Sequence, residues 1–347
     1  MLTMGRPRSA APHPLPRLLA ATNNAAMQTE PPKADQPKRT HRWFQFSLRT
    51  LLVFALICAI GFALLGKKIE RKRKEREAVE AIEQLGGEVL YDYQSSPAIE
   101  IKDLAEPNGP GWLRSLLGKN FFSDVDLVQF ESRLAIGDSA LEHLEPLTQV
   151  KELRLGSAKV TDAGLDHLKG LNHLQYLELS ATDIGDGGLA RLKGLTSLQM
   201  LTLLGTKVTD DGLANVKGLT QLQTLDLSHT SVSDAGLVHL KGLVKLENLD
   251  LESTKVTDAG LATVEGFTRL EHIYLNETNV GDEGIQHLNG LKQLQWLRLK
   301  DTHVSDAALK SIKGLTHLID LDLRGTKVSD AGLNELRSAL PKCKILH

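Results

Sequence analysis

The chain has 347 residues, an aromatic content of only 4% and a formal net charge of −2. That charge is unevenly spread: residues 1–77 carry 15 Lys+Arg against 5 Asp+Glu, and the remainder carries 26 against 38. A basic front on an acidic body argues against a nucleic-acid binder, which needs positive charge on its folded face. Two cysteines, Cys58 and Cys343, make no disulfide framework.

Taken in chain order, residues 1–43 form a basic tail rich in Ala, Pro, Asn and Thr with no apolar period, read as disordered. Residues 44–66 read as a single transmembrane helix. Leu51 to Leu65 is apolar around Gly61, and Phe44, Phe46 and Leu48 extend the stretch to about 20 residues. Trp43 and the two Phe would sit at one interface, with Arg49 reaching back to the headgroups. A cleaved signal peptide has a similar basic front, but Lys67, Lys68, Arg71, Lys72, Arg73 and Lys74 follow where a cleavage site would lie. An uncleaved single-pass anchor is the reading. Lys and Arg counts on its two sides balance once the whole tail is included, so charge assigns the repeats to neither side of the membrane. Residues 67–87 read as a charged juxtamembrane helix, a solvated spacer ended by Gly86 and Gly87. Residues 88–121 hold a short strand signal at Val89, Tyr91 and Tyr93 and the apolar run Trp112 to Gly118, a cap for the exposed edge that follows.

From Leu147 to Ser338 one 24-residue unit occurs eight times, written LxxLxxLxLxxTxVTDxGLxxLKG. Such a period means a solenoid whose assembled surface is the working part. Leu153 and Leu155 alternate with variable residues, as in a strand with one buried face. Leu165 and Leu168 followed by Gly170 read as a short helix with a glycine stop. Ser123 to Pro146 is a degenerate first copy with one extra residue before Ile136, so the repeats span 122–347. The tail from Ala339 supplies a closing strand. The fold class is α/β: a horseshoe solenoid with a concave parallel sheet and convex helices, preceded by the membrane helix.

Three columns invite functional readings. Asp162, Asp186, Asp210, Asp234, Asp258, Asp282, Asp306 and Asp330 each open a helix, where a carboxylate offsets free N–H groups and the helix dipole. Lys169, Lys193, Lys217, Lys241 and Lys313 suit the opposite dipole end. Thr182 and its equivalents at 206, 230, 254, 278, 302 and 326 are placed to bond a neighbouring turn. All three read as scaffold. His143, His167, His239 and His287 share a helix position, but the gaps between them make no metal cluster. No catalytic motif, phosphate loop or paired-cysteine motif occurs, so the expectation is no enzyme, cofactor, metal or small-molecule substrate.

Function should then lie where copies differ, at the outward strand positions. The candidates for contacting a partner are Tyr176, Met200, Asp226, Asp250, His272, Tyr274, Trp296 and Arg298. Four of these bring aromatic rings and Arg onto two adjacent strands, as binding hot spots do. Asp226, Asp250, Glu252, Glu277 and Asp322 around them favour a basic protein or peptide.

The repeated residues resemble those of leucine-rich-repeat proteins, and the stretch TxVTDxGL is similar to the ribonuclease-inhibitor-like subclass. The front half, with RWFQFSLRTLL before the span, then LGGEVLYDY and WLRSLLG, resembles the membrane-anchored repeat proteins of planctomycete bacteria. The resemblance implies an α/β horseshoe and protein–protein recognition, and names no partner. The function expected is a membrane-anchored module binding a protein through its concave face. The alternative is a passive scaffold component of the cell envelope without a specific ligand.

Overall fold

The computed structural model describes residues 48–94, 106–130 and 136–347. The basic tail with Trp43, Phe44 and Phe46 lies outside the described residues, as does the segment just before Ile136.

The apolar run and the charged run form one continuous helix, α1 (Leu48–Gln84). The chain divides into two units, the first ending at Ala59 and the second starting at Ile60. In the first, Leu51, Leu52, Val53, Phe54, Leu56 and Ile57 are exposed on all sides of α1. In the second, Ile60, Phe62, Leu64 and Leu65 continue the same pattern. A helix apolar all round and unburied is long enough to cross a bilayer.

Beyond Gly66 the helix departs from the expected solvated spacer. Glu75, Ala78, Val79 and Ile82 are buried, at the i, i+3, i+4, i+7 spacing of one helix face. Lys72 Nζ lies 2.6 Å from Glu75 Oε2, 2.7 Å from the Ser123 carbonyl and 2.6 Å from Asp124 Oδ1. Arg71 adds contacts to Glu75 at 3.0 Å and Asp124 at 3.3 Å. These bonds and the apolar face make the end of α1 part of the N-terminal cap.

Among the described residues the sheet has 11 strands in sequence order. They are β1 (Gly87–Tyr91), β2 (Val125–Phe130), β3 (Glu152–Arg154), β4 (Tyr176–Glu178), β5 (Met200–Thr202) and β6 (Thr224–Asp226). After them come β7 (Asn248–Asp250), β8 (His272–Tyr274), β9 (Trp296–Arg298), β10 (Asp320–Asp322) and β11 (Lys344–Leu346). The first pair, β1 with β2, is antiparallel, which lets a single strand after α1 cover the sheet edge. All later pairs are parallel. Leu127 lies opposite Glu152, one residue more than the repeat period, in keeping with the longer first copy. From there each residue lies opposite its equivalent in the next copy, Glu152 to Tyr176 to Met200. At the far end β11 closes the sheet against β10.

The middle residue of each repeat strand points inward and is buried, from Leu153 to Leu321. These side chains join those of the turns in one core running from Ala78 to Leu340. The return segments are shorter than the single helix the sequence suggests. A typical copy has a short α-turn, Asp186–Arg191, followed by a 3-10 turn, Leu192–Gly194.

After each of the strands β3 to β10 the chain bends through one residue with positive φ: Ser157, Ala181, Gly205, His229, Ser253, Glu277, Asp301 and Gly325, between 52° and 70°. In the seven copies from 182 onward the next residue is Thr. Its hydroxyl donates to the carbonyl three residues back, as Thr230 to Leu227 at 2.6 Å and Thr302 to Leu299 at 2.7 Å. The Thr column therefore locks its own bend, not the neighbouring turn. An unpaired hydroxyl at that buried depth would carry a desolvation penalty.

Candidate functional site

Each repeat strand is three residues long, so one side chain goes in and two come out. The parallel register stacks the outward residues into two rows. One row runs Glu152, Tyr176, Met200, Thr224, Asn248, His272, Trp296 and Asp320. The other runs Arg154, Glu178, Thr202, Asp226, Asp250, Tyr274, Arg298 and Asp322.

This register brings most of the candidate residues together. His272 and Trp296 are cross-strand neighbours, with ring centroids 4.8 Å apart. Trp296 keeps 37% of its surface in solvent, while His272, Tyr274 and Arg298 are half-buried. Burial holds the His272 imidazole below its ordinary pKa, favouring the neutral ring in the stack. The Arg298 guanidinium lies 5.8 Å from the Trp296 ring centroid. It is held 3.1 Å from Asp320 and 3.5 Å from Asp322. Arg298 therefore steadies the aromatic pair from one side.

The acidic residues differ among themselves. Asp322 is 2% exposed and accepts from Arg324 Nε at 2.9 Å and from its backbone N–H at 3.1 Å, so it presents nothing outward. Glu252 accepts from Asn276 at 2.6 Å, and Glu277 accepts from Ser253 at 2.8 Å. Asp226 takes the N–H of Ser228 at 2.9 Å and its hydroxyl at 2.5 Å, which holds the strand exit. Asp250, in register with Asp226, accepts the Glu252 N–H at 2.9 Å. Burial, with Asp226 and Glu252 adding repulsion, pushes its carboxyl up to about 7.

Tyr176 and Met200 lie on the same face but five and four strands from Trp296. Tyr176 packs 5.4 Å from the Arg154 guanidinium. These two belong to a separate stretch of the rows.

On the opposite, turn side the Asp column does something its position at the helix start did not reveal. Asp234 Oδ1 accepts the Thr257 N–H at 2.8 Å and its Oδ2 the Thr257 hydroxyl at 2.6 Å, one copy further on. Asp138, Asp186, Asp210, Asp282 and Asp306 repeat both bonds. Asp162 and Asp258 bond the N–H of Gly185 and Gly281. The column is a set of rivets between copies. A Cβ on Gly236 or Gly260 would run into the carboxylate of the preceding copy's Asp, Asp210 or Asp234. The shared Gly and Ser/Thr columns were the available signal.

On the same side, His167 pairs with Glu145 at 2.7 Å and His287 with Glu265 at 2.6 Å. Among the described residues no group of three or more His, Cys, Asp or Glu side chains could hold a metal ion.

The leucine-rich-repeat family model, described as "Leucine Rich repeat", matches residues 170–193, 218–240 and 314–336. Those three stretches match the leucine-rich-repeat pattern. The chain is similar to a solved internalin, inlF, from Listeria monocytogenes, at 22% identity and a TM-score of 0.46 over 59% of this chain and 69% of that one. It is similar to internalin C2 of the same species at 27% identity and a TM-score of 0.46, over 59% and 82% of the two chains. A leucine-rich-repeat protein of Leptospira interrogans aligns at 18% identity and a TM-score of 0.41, over 59% and 62%. No curated protein matches the chain.

Proposed function

We propose that the protein is a membrane-anchored recognition module, held by α1 and binding a protein or peptide through the outer face of its repeat sheet. The observation that carries this reading is the ordered aromatic pair at Trp296 and His272. A large indole is kept partly in water and braced by the His272 ring and by a pinned guanidinium. Nothing in the core requires a Trp at that outward position. Such anchors near the middle of an interface supply most of the binding energy.

Tyr274 and the Asp226–Asp250 pair extend the patch toward the acidic side, where a Lys or Arg of the partner would find a carboxylate beside an aromatic ring. Tyr176 and Met200 mark the far edge of a footprint that, at ~4.8 Å per strand, spans roughly 25 Å from β4 to β9. The repeats act here by contact, and the reading assigns no reaction to them. The unburied apolar half of α1 supports the anchoring. The ribonuclease-inhibitor-like pattern and the likeness to planctomycete anchored proteins remain part of this proposal, resting on TxVTDxGL and on the residues around the span.

The test is capture of partners by the intact protein and by a Trp296→Ala, Tyr274→Ala double variant. Loss of captured species with unchanged circular dichroism supports the reading. Unchanged capture by the folded double variant overturns it and favours a passive envelope scaffold.

A further inference from the structure

We propose that a second short helix, α2 (Gly111–Leu117), is a membrane contact in its own right, with its apolar face lying in the headgroup layer of an anionic bilayer beside the point where α1 emerges. This rests on the proposed anchoring by α1. Helix α2 buries none of its residues. Trp112 is 69% exposed and Leu116 is 74% exposed. Four residues apart, they share one face of the helix. Large apolar groups held together in water mark a contact surface, and Trp is the side chain most at home at a membrane interface.

The position of α2 singles out lipid among possible occupants. Leu116, Leu117, Lys119 and Phe121 wall a cleft of about 440 Å³ with Ile69 and Arg73 of α1. Lys68 Nζ lies 5.4 Å from the ring centroids of both Phe121 and Phe122. The apolar run of α1 ends at Leu65 and Gly66. At a rise of ~1.5 Å per residue, Lys68 and Ile69 stand roughly 3–5 Å beyond it. A headgroup layer is about 5–7 Å deep on each side of the hydrocarbon. The cleft against which the end of α2 packs therefore begins at headgroup depth.

Charge agrees with depth. Between Lys67 and Glu77 every acid already has a cation: Glu70 with Arg73, Glu75 with Arg71 and Lys72, and Glu77 with Arg73. Lys67, Lys74 and Arg76 in that stretch, with Lys119 after α2, have no ion pair among the described residues. A cationic surplus at the exit of a span attracts anionic headgroups.

The chain has three Trp, at 43, 112 and 296, so Trp43→Phe with Trp296→Phe leaves Trp112 as the single indole of the full chain. That protein is reconstituted into vesicles of phosphatidylcholine and phosphatidylglycerol, with and without bromine on the acyl chains near the headgroup. The expected result is blue-shifted Trp112 emission that is lost to bromine quenching, with less quenching when phosphatidylglycerol is omitted or Leu116→Glu is added. Protein that resists an alkaline wash while Trp112 stays unquenched overturns the α2 contact alone and leaves that face to a protein partner. Protein released by the wash overturns the anchoring and the α2 contact together.

Discussion

On the turn side of the repeats, each Asp from 138 to 306 bonds the next copy's backbone. On the sheet side, the outward pairs change from Thr224 and Asp226 to His272 and Tyr274 to Trp296 and Arg298. Residues recur where the partner is another copy of the same unit, since a change there breaks the joint with a neighbour. They vary where the neighbour is solvent or a ligand. The columns that catch the eye are thus the inter-copy joints, and the irregular rows are the surface free to acquire a specificity.

The largest expected effect breaks this contrast directly. Asp234→Ala removes two charge-assisted bonds to Thr257, at a cost of about 2 kcal/mol in denaturant unfolding. Asp330→Ala alters the same column where no further copy follows, and should cost about 0.5 kcal/mol at most. Equal losses would return the column to a dipole role within its own helix.

Next comes Asp250. Its folded pKa of about 7 lies above the ordinary 3.8, so the folded chain keeps a proton that the unfolded chain releases between about pH 4 and 7. The folded state binds more protons in that window, and stability falls as pH rises through it. Above about pH 7 the whole penalty is present. Asp250→Asn keeps an acceptor for the Glu252 N–H and removes the charge. It should stabilise the protein by on the order of 1–2 kcal/mol at pH 8, after allowing for solvent screening of a half-buried group, and by almost nothing at pH 4. A pH-independent gain would remove the carboxylate pair as its cause.

A smaller gain is expected at Ala181, whose φ is 54° where Gly205 and Gly325 stand in other copies. Ala181→Gly should raise stability by about 0.5–1 kcal/mol, read as a shift in the denaturation midpoint, because relief of the left-handed strain exceeds the added chain entropy. Least of all, Trp296→Ala should move the unfolding midpoint by only ~0.5 kcal/mol. A loss of several times that would make the indole a structural residue and weaken its assignment to binding.

The strands were legible because Leu153 and Leu155 stand two apart with one buried side, as do Leu177 with Leu179 and Leu201 with Leu203, a local signal. The outward rows were legible for the same reason. Nothing within one copy told that Asp234 reaches Thr257, 23 residues on; only the recurrence of the Gly and Ser/Thr columns pointed to a joint there. The Thr column showed its depth but not its acceptor, because the carbonyl three residues back becomes available only once the preceding residue takes a positive φ. Within α1 the apolar points Val79 and Ile82 could be picked out among charges, yet their burial depends on β1 and β2 folding back over them. Lys72 reads as one more solvated cation until Ser123 and Asp124 are brought to it. Among the acids near Trp296, only the folded arrangement separates Asp322, consumed by Arg324, from Asp250, held near neutrality.

The rivets also have a direction. Each Asp carboxylate accepts from the following copy, and Asp330 has no such donor within the repeats. The body is in effect a head-to-tail polymer with two end groups: α1 with β1 initiates it, and the helix Asp330–Ala339 with β11 terminates it. In such a polymer any monomer can be excised at equivalent bonds and the cut ends rejoin, so deleting residues 210–233 should remove the Asp210–Ser233 joint and leave Asp186 on Thr209 and Asp234 on Thr257 as before. The product would be shorter by one strand, about 4.8 Å of sheet, with its aromatic patch intact. Deleting a single residue leaves no such equivalence. Length is adjustable in whole units, and the outward face of the sheet can be lengthened, shortened or reshuffled without redesigning a joint.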